Sequence, residues 1–260
     1  MSREAELWSL VGERLDRLAA RDGETRFWLR DDDAVGPTPR LDALLAMAAA
    51  AGAPLALAVI PAGAKSALAA RLAPLSGVAV LPHGFAHRNH APANEKKTEL
   101  GDHRPTELVL AELAAGHARL AGFPHYAPLL VPPWNRIGPG VAAGLAALGF
   151  RGLSLYGDRR RNPAAPGLRQ VNTHFDPVDW RGGGGFVGRE RALEMLGKRL
   201  GQLLSGEHDP AEPTGILSHH LAQDAATFIF LGDLLRYLAK RSDCRFLFVD
   251  ELLAGSSFGQ

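Results

Sequence analysis

The sequence predicts an α/β fold built as a (β/α) barrel, and three observations carry that reading. Short β-branched or aliphatic runs alternate with longer Ala/Leu/Arg/Glu segments of helical period. About eight such runs fit in the chain, the number a parallel barrel of this size needs. The first run is followed by RDDDA, where a doubly wound dinucleotide-binding sheet would carry a glycine-rich turn.

The elements follow in order. Strands are expected at 27–30, 55–60, 78–81, 129–131, 152–155, 169–173, 215–218 and 246–249. Helices are expected at 4–20, 39–51, 65–72, 105–121, 139–148, 189–204 and 224–241. Pro39, Pro105 and Pro139 stand where a first helical turn tolerates proline. Gly52, Gly122 and Gly149 follow predicted helix ends. Strands separated by helices run parallel, with right-handed crossovers. No linker or charge block divides the chain, so residues 1–260 read as one barrel domain. Two connections, 83–104 and 176–188, are long and polar, and loops of that length in a compact domain are usually functional.

Composition narrows the function. With 29 Lys+Arg against 28 Asp+Glu, the net charge is +1. That argues against a nucleic-acid or membrane-surface partner and fits a small-molecule or oligosaccharide substrate. The amino terminus lacks a basic patch, a continuous apolar stretch and a cleavage site, which predicts a cytoplasmic protein. A single cysteine excludes thiolate clusters, so a bound metal must take imidazole and carboxylate ligands from among ten histidines and the acidic residues.

In a parallel barrel the site lies at the carboxyl ends of the strands. The first strand ends in Asp31-Asp32-Asp33 and the third in Pro82-His83-Gly84-Phe85-Ala86-His87. The fourth ends in Pro132-Pro133-Trp134-Asn135-Arg136. The sixth leads into Asp176, Asp179 and Trp180, and the seventh ends in His219-His220. His83 and His87, four apart, can face one way on a helical turn and chelate one ion. Two imidazoles and a carboxylate make a three-ligand site with open positions, suited to activating water.

The order D-D, H-x3-H, P-P-W, D-x-x-D-W, I-L-x-H resembles the polysaccharide deacetylases with the NodB-homology domain, carbohydrate esterase family 4. The matching segments run from Asp31 to His219. The resemblance implies a distorted (β/α)7-8 barrel and one divalent metal, with Zn²⁺ expected and Co²⁺, Ni²⁺ or Mn²⁺ as alternatives. It implies Asp31 as general base and Asp32, His83 and His87 as ligands. Pro133 and Trp134 would wall the groove, Asp179 and Trp180 would buttress the base, and His219 would be the acid. The implied activity is hydrolysis of an N- or O-acetyl group on a sugar or sugar-like substrate. Alternatives are a catalytically impaired carbohydrate-binding relic and a metal-dependent hydrolase of another amide.

The chain departs from the family pattern at Asp33, where glycine is usual, so the register of base and ligand within 31–33 is open. Val131 replaces an arginine that normally pairs with the base, and Arg136 and Arg30 are the candidates to stand in. His220 replaces an aspartate, so either His219 or His220 can serve as acid. A secretion signal, expected for a cell-wall substrate, is absent from the pattern.

Overall fold

The computed structural model describes residues 1–159 and 167–254. The elements in chain order are α1 (Arg3–Asp22), β1 (Thr25–Ala34), α2 (Pro39–Ala50), β2 (Leu55–Val59), α3 (Ser66–Leu72), β3 (Val78–Pro82), α4 (Thr106–Leu120), β4 (Leu129–Leu130), α5 (Pro139–Gly144), β5 (Gly152–Leu153), β6 (Arg169–Gln170), β7 (Val178–Asp179), β8 (Gly185–Phe186), α6 (Arg189–Ser205), β9 (Thr214–Ser218), α7 (Ala225–Ala239), β10 (Cys244–Phe246) and α8 (Val249–Ala254). The chain divides into two compact units. The first comprises Met1–Asp31, Pro39–Leu55 and Thr173–Leu247, and the second Asp32–Thr38, Ala56–Asn172 and Phe248–Gln260.

In the first unit, β1 is parallel to both β10 and β9, with Thr25 opposite Cys244 and Asp31 opposite Ser218. Phe27, Trp28 and Leu29 are buried there. Helix α1 buries Leu7, Val11, Leu15 and Leu18, a helical stripe that packs against α6. Arg21 of α1 donates to the Leu203 carbonyl at 3.0 Å, filling an acceptor that the end of α6 leaves open. The buried Glu212 lies 3.5 Å from Arg199 and 3.3 Å from Nε2 of His174, whose Nδ1 accepts the Gly215 amide at 3.0 Å.

In the second unit the backbone ladder is also parallel. Ile60 N–H donates to the Ala34 carbonyl, His83 N–H to Val59 and Val131 N–H to Pro82, each at 2.9 Å. Strands β4, β5 and β6 then pair in register, Leu129 with Gly152 and Gly152 with Arg169. The cluster beneath them contains Leu113, Leu130, Leu145, Phe150 and Leu153, all at most 3% exposed.

Three elements differ from the sequence expectation. The polar segment 176–188 contains an antiparallel hairpin of β7 and β8. Its turn uses Gly183 and Gly184 at φ 106° and 94°, backbone open to glycine alone. The last strand, expected at 246–249, is Cys244–Phe246, and helix α8 begins at Val249 with Glu251 accepting the Phe248 amide at 2.8 Å. The helix expected over 139–148 stops at Gly144 and resumes as a 3-10 turn over Ala146–Leu148.

Candidate metal centre and active site

The second unit gathers one carboxylate and two imidazoles. Nε2 of His83 lies 3.1 Å and Nε2 of His87 3.2 Å from the same oxygen, Oδ1 of Asp33. The three ligand atoms lie within 4.8 Å of one another. The carboxylate is that of Asp33; Asp32, the ligand expected from the motif, is buried in β1 and is not in this group. Asp33 has φ 75°, so the regular alternation of side chains along β1 breaks at this residue. Aspartate is one of the few residues that enters the left-handed region readily.

His83 and His87 do not share a helical turn. Residues 83–88 form a loop that turns at Gly84 (φ 56°) and His87 (φ 54°). His83 donates its Nδ1–H to the Val131 carbonyl at 2.9 Å. Val131 thus contributes through its backbone at the place where the family pattern has an arginine. The Trp134 ring packs against His87 at 4.4 Å between centroids, and Trp134 and Asn135 both have left-handed φ near 55°. Such outliers concentrate at functional sites. Pro133 is buried beside Gly84, and Arg136 donates to the Lys97 carbonyl at 2.7 Å.

This donor set fits a divalent cation. With Nδ1–H of His83 given to Val131, its Nε2 carries a lone pair, and that lone pair faces a carboxylate oxygen. Two acceptors at 3.1 Å repel unless a cation or a proton lies between them. Burial, with the neighbouring His83 adding to it, pushes the His87 imidazole below its ordinary pKa, which favours the neutral, ligating ring. Two nitrogens and one oxygen with open positions suit zinc and the neighbouring transition metals. Side-chain exposures of 31% at Asp33 and 25% at His87 leave the group accessible.

The first unit holds two acid–base arrangements. Asp31 is fully buried, and its carboxylate accepts from the Ser218 hydroxyl, from the His220 amide at 2.8 Å and from Nδ1 of His220. His220 is therefore the basic side chain beside Asp31. Its Nε2 is buried with no hydrogen-bond partner among the described residues.

His219 points elsewhere. Its Nδ1 lies 3.8 Å from Asp176 Oδ2, and Trp180 meets its ring edge-on at 4.7 Å. Trp180 donates its indole N–H to the same Asp176 oxygen at 2.7 Å. Asp176, to which the motif assigned no role, is thus the carboxylate that holds the Trp180 indole, and Trp180 packs on His219. Its signal was the first aspartate of D-x-x-D-W. Asp179, expected to buttress Asp31, instead accepts the Arg181 and Gly182 amides at 3.2 and 2.9 Å and closes the hairpin turn. Trp180 is 53% exposed, an apolar face open to a ligand.

With this geometry in view, comparison with solved structures defines the fold class. A family 4 acetyl xylan esterase from Clostridium thermocellum, in complex with a cobalt ion, is similar at TM-score 0.53 and 14% identity, over 88% of this chain and 91% of that one. A family 4 carbohydrate esterase from Streptomyces lividans, in complex with acetate, gives 0.54 and 17% over 89% and 95%. A peptidoglycan deacetylase from Bacillus subtilis gives 0.52 and 13% over 88% and 90%. The chain shares the α/β fold of these enzymes. No family model and no curated protein matches the sequence. Among the described residues no helix is long and apolar enough to cross a membrane.

Proposed function

We propose that this protein is a metal-dependent hydrolase that removes an N- or O-linked acetyl group from a sugar or sugar-like substrate. The observation that carries the reading is the facing of two imidazole nitrogens and a carboxylate oxygen at 3.1 and 3.2 Å, a donor set that calls for a cation. Asp33, His83 and His87 would hold the ion, and zinc fits their chemistry. When bound, a divalent ion polarises an acyl carbonyl and lowers the pKa of water.

The chain's own groups do the proton work. With the ligand at Asp33, the adjacent carboxylate that precedes it, Asp32, takes the proton of the attacking water, and its neighbour Asp31 is fixed by His220 and Ser218. His219, packed edge-on by Trp180, gives a proton to the departing amine or alkoxide. The exposed Trp180 face offers a surface for a sugar ring. The cobalt ion of the Clostridium thermocellum esterase and the acetate of the Streptomyces lividans enzyme support the same chemistry here.

The test is hydrolysis of acetylated xylo- and chito-oligosaccharides by metal-stripped protein, before and after titration with Zn²⁺. Activity that appears with about one equivalent of zinc, and is absent in Asp33→Ala, supports the reading. Bound sugar without turnover at any metal loading overturns it in favour of the relic.

A further inference from the structure

The loop that carries His87 is shaped by a residue outside every motif considered so far. Glu99 is 1% exposed and lies 12 residues beyond His87 in the chain. Its Oε2 accepts the Phe85 amide at 3.0 Å, and its Oε1 accepts the Ala86 amide at 2.8 Å and the Arg88 amide at 3.3 Å. One carboxylate thus gathers three of the four amides that follow Gly84. A buried carboxylate collecting backbone N–H groups holds a fixed loop conformation, because each donor would otherwise be left unsatisfied.

Two further observations make this a built arrangement. Asn89 ties back the intervening segment: its Oδ1 accepts the Thr98 amide at 2.9 Å, and the His90 amide donates to the Thr98 carbonyl at 2.9 Å. Glu99 is thereby returned to the 83–88 loop. The position after His83 is also matched to it. A Cβ placed on Gly84 would lie 2.1 Å from Glu99 Oε2 and 2.6 Å from Pro133 Cδ, so the carboxylate occupies the volume that a side chain at 84 would need.

We propose that Glu99 is a positioning residue for the metal centre: with Gly84 it fixes the backbone that aims His87 at Asp33, and so sets the affinity for the ion. This rests on the metal-centre reading given above. Glu99 touches neither ion nor substrate and acts through the amides on either side of His87. Outer partners of metal ligands typically change affinity by about 10–100-fold when removed.

The experiment uses the full chain, stripped of metal, and reads Zn²⁺ binding by competition with a chelating dye. Beside it run the melting temperature and hydrogen exchange of the Phe85, Ala86 and Arg88 amides without metal. Glu99→Ala is expected to weaken zinc about 10–100-fold and to speed exchange at those three amides. Glu99→Gln, which keeps one acceptor oxygen, is expected to fall between it and the parent. Gly84→Ser is expected to weaken zinc in the parent and to do so less in the Glu99→Ala background, since the overlap with Glu99 is then gone and only that with Pro133 remains. If the parent binds zinc and Glu99→Ala and Glu99→Gln bind it within twofold of the parent, the proposal is wrong and the metal centre stands. If the parent binds no zinc, the metal-centre reading itself fails. Should Glu99→Ala not fold, Glu99→Gln decides: parent-like affinity together with parent-like exchange at 85–88 overturns the proposal.

Discussion

The imidazole of His220 hydrogen-bonds through Nδ1 to the carboxylate of Asp31, and the backbone amide of the same residue donates to the other carboxylate oxygen at 2.8 Å. One residue thus grips both oxygens, and the Ser218 hydroxyl adds a third donor. This contact supplies a basic partner for Asp31 in a chain whose third motif carries Val131. Removing the ring in His220→Ala is expected to lower kcat by about 10–100-fold, because the strand end that carries the neighbouring base, Asp32, loses an anchor. Zinc content should not change, because His220 ligates nothing. His220→Asp should be worse than alanine, since a second carboxylate against the buried Asp31 repels it and displaces the same strand end. Steady-state kinetics with metal analysis on both variants checks this; unchanged kcat in His220→Ala would remove the ring from the account.

The ligand carboxylate gives a second test, within three consecutive aspartates. Asp33 meets both imidazoles, and Asp32 does not belong to that group. Asp33→Asn is expected to lose zinc by at least about 100-fold in affinity, because a neutral amide oxygen is a far weaker ligand than a carboxylate. Asp32→Asn, nearly isosteric at a 2% exposed position, should keep one zinc per chain even where its stability drops. Equilibrium dialysis with elemental analysis separates them, and zinc lost only from Asp32→Asn would reverse the assignment.

His219 should show itself through the leaving group. An acid that protonates the departing atom matters most when that atom is basic and little when it is a good leaving group. His219→Ala is expected to cut turnover of an N-acetyl sugar by about 100-fold or more, and of p-nitrophenyl acetate far less. Asp176→Asn should reproduce the pattern in weaker form, because Asp176 holds the Trp180 indole at 2.7 Å and that ring packs on His219. An equal loss on both substrates would move His219 from proton donation to binding.

Much of the fold was legible because burial follows periodicity. Leu7, Val11, Leu15 and Leu18 spell out α1, and the aliphatic runs at 55–59 and 214–218 are strands with all five residues buried. What escaped has identifiable causes. The β7–β8 hairpin spans four consecutive glycines, which carry no hydrophobic pattern. The register within Asp31–Asp33 depends on a left-handed φ at Asp33, and no period encodes that. Likewise the H-x3-H spacing was read as a helical turn, whereas positive φ at Gly84 and His87 brings the rings together in a loop. Glu99 and Asp176 act through backbone amides and an indole, contacts visible only once the chain has folded back.

The cap of α7 offers a stability test whose pH dependence has a definite sign. Asp224 Oδ1 accepts the Thr227 amide and hydroxyl, each at 2.8 Å, and its Oδ2 accepts the Phe186 amide at 3.2 Å. The hydrogen bond from the Thr227 amide is the main reason its carboxyl titrates below the ordinary range, with the Thr227 hydroxyl next. A carboxylate with a depressed folded-state pKa stabilises the fold fully above its unfolded pKa of about 3.9 and loses that contribution as pH falls through the folded value. Asp224→Ala at neutral pH should therefore cost about 1 kcal/mol, the usual worth of an N-cap, and lower Tm by about 2–4 °C. Asp224→Asn, which still caps but carries no charge, should cost less near neutrality and converge with the parent as pH drops below about 4. Thermal melts of the three proteins from pH 7 down to the acid limit read this directly. A gap between parent and Asp224→Asn that widens with acidification would mean that the charge on Asp224 is not what the cap uses.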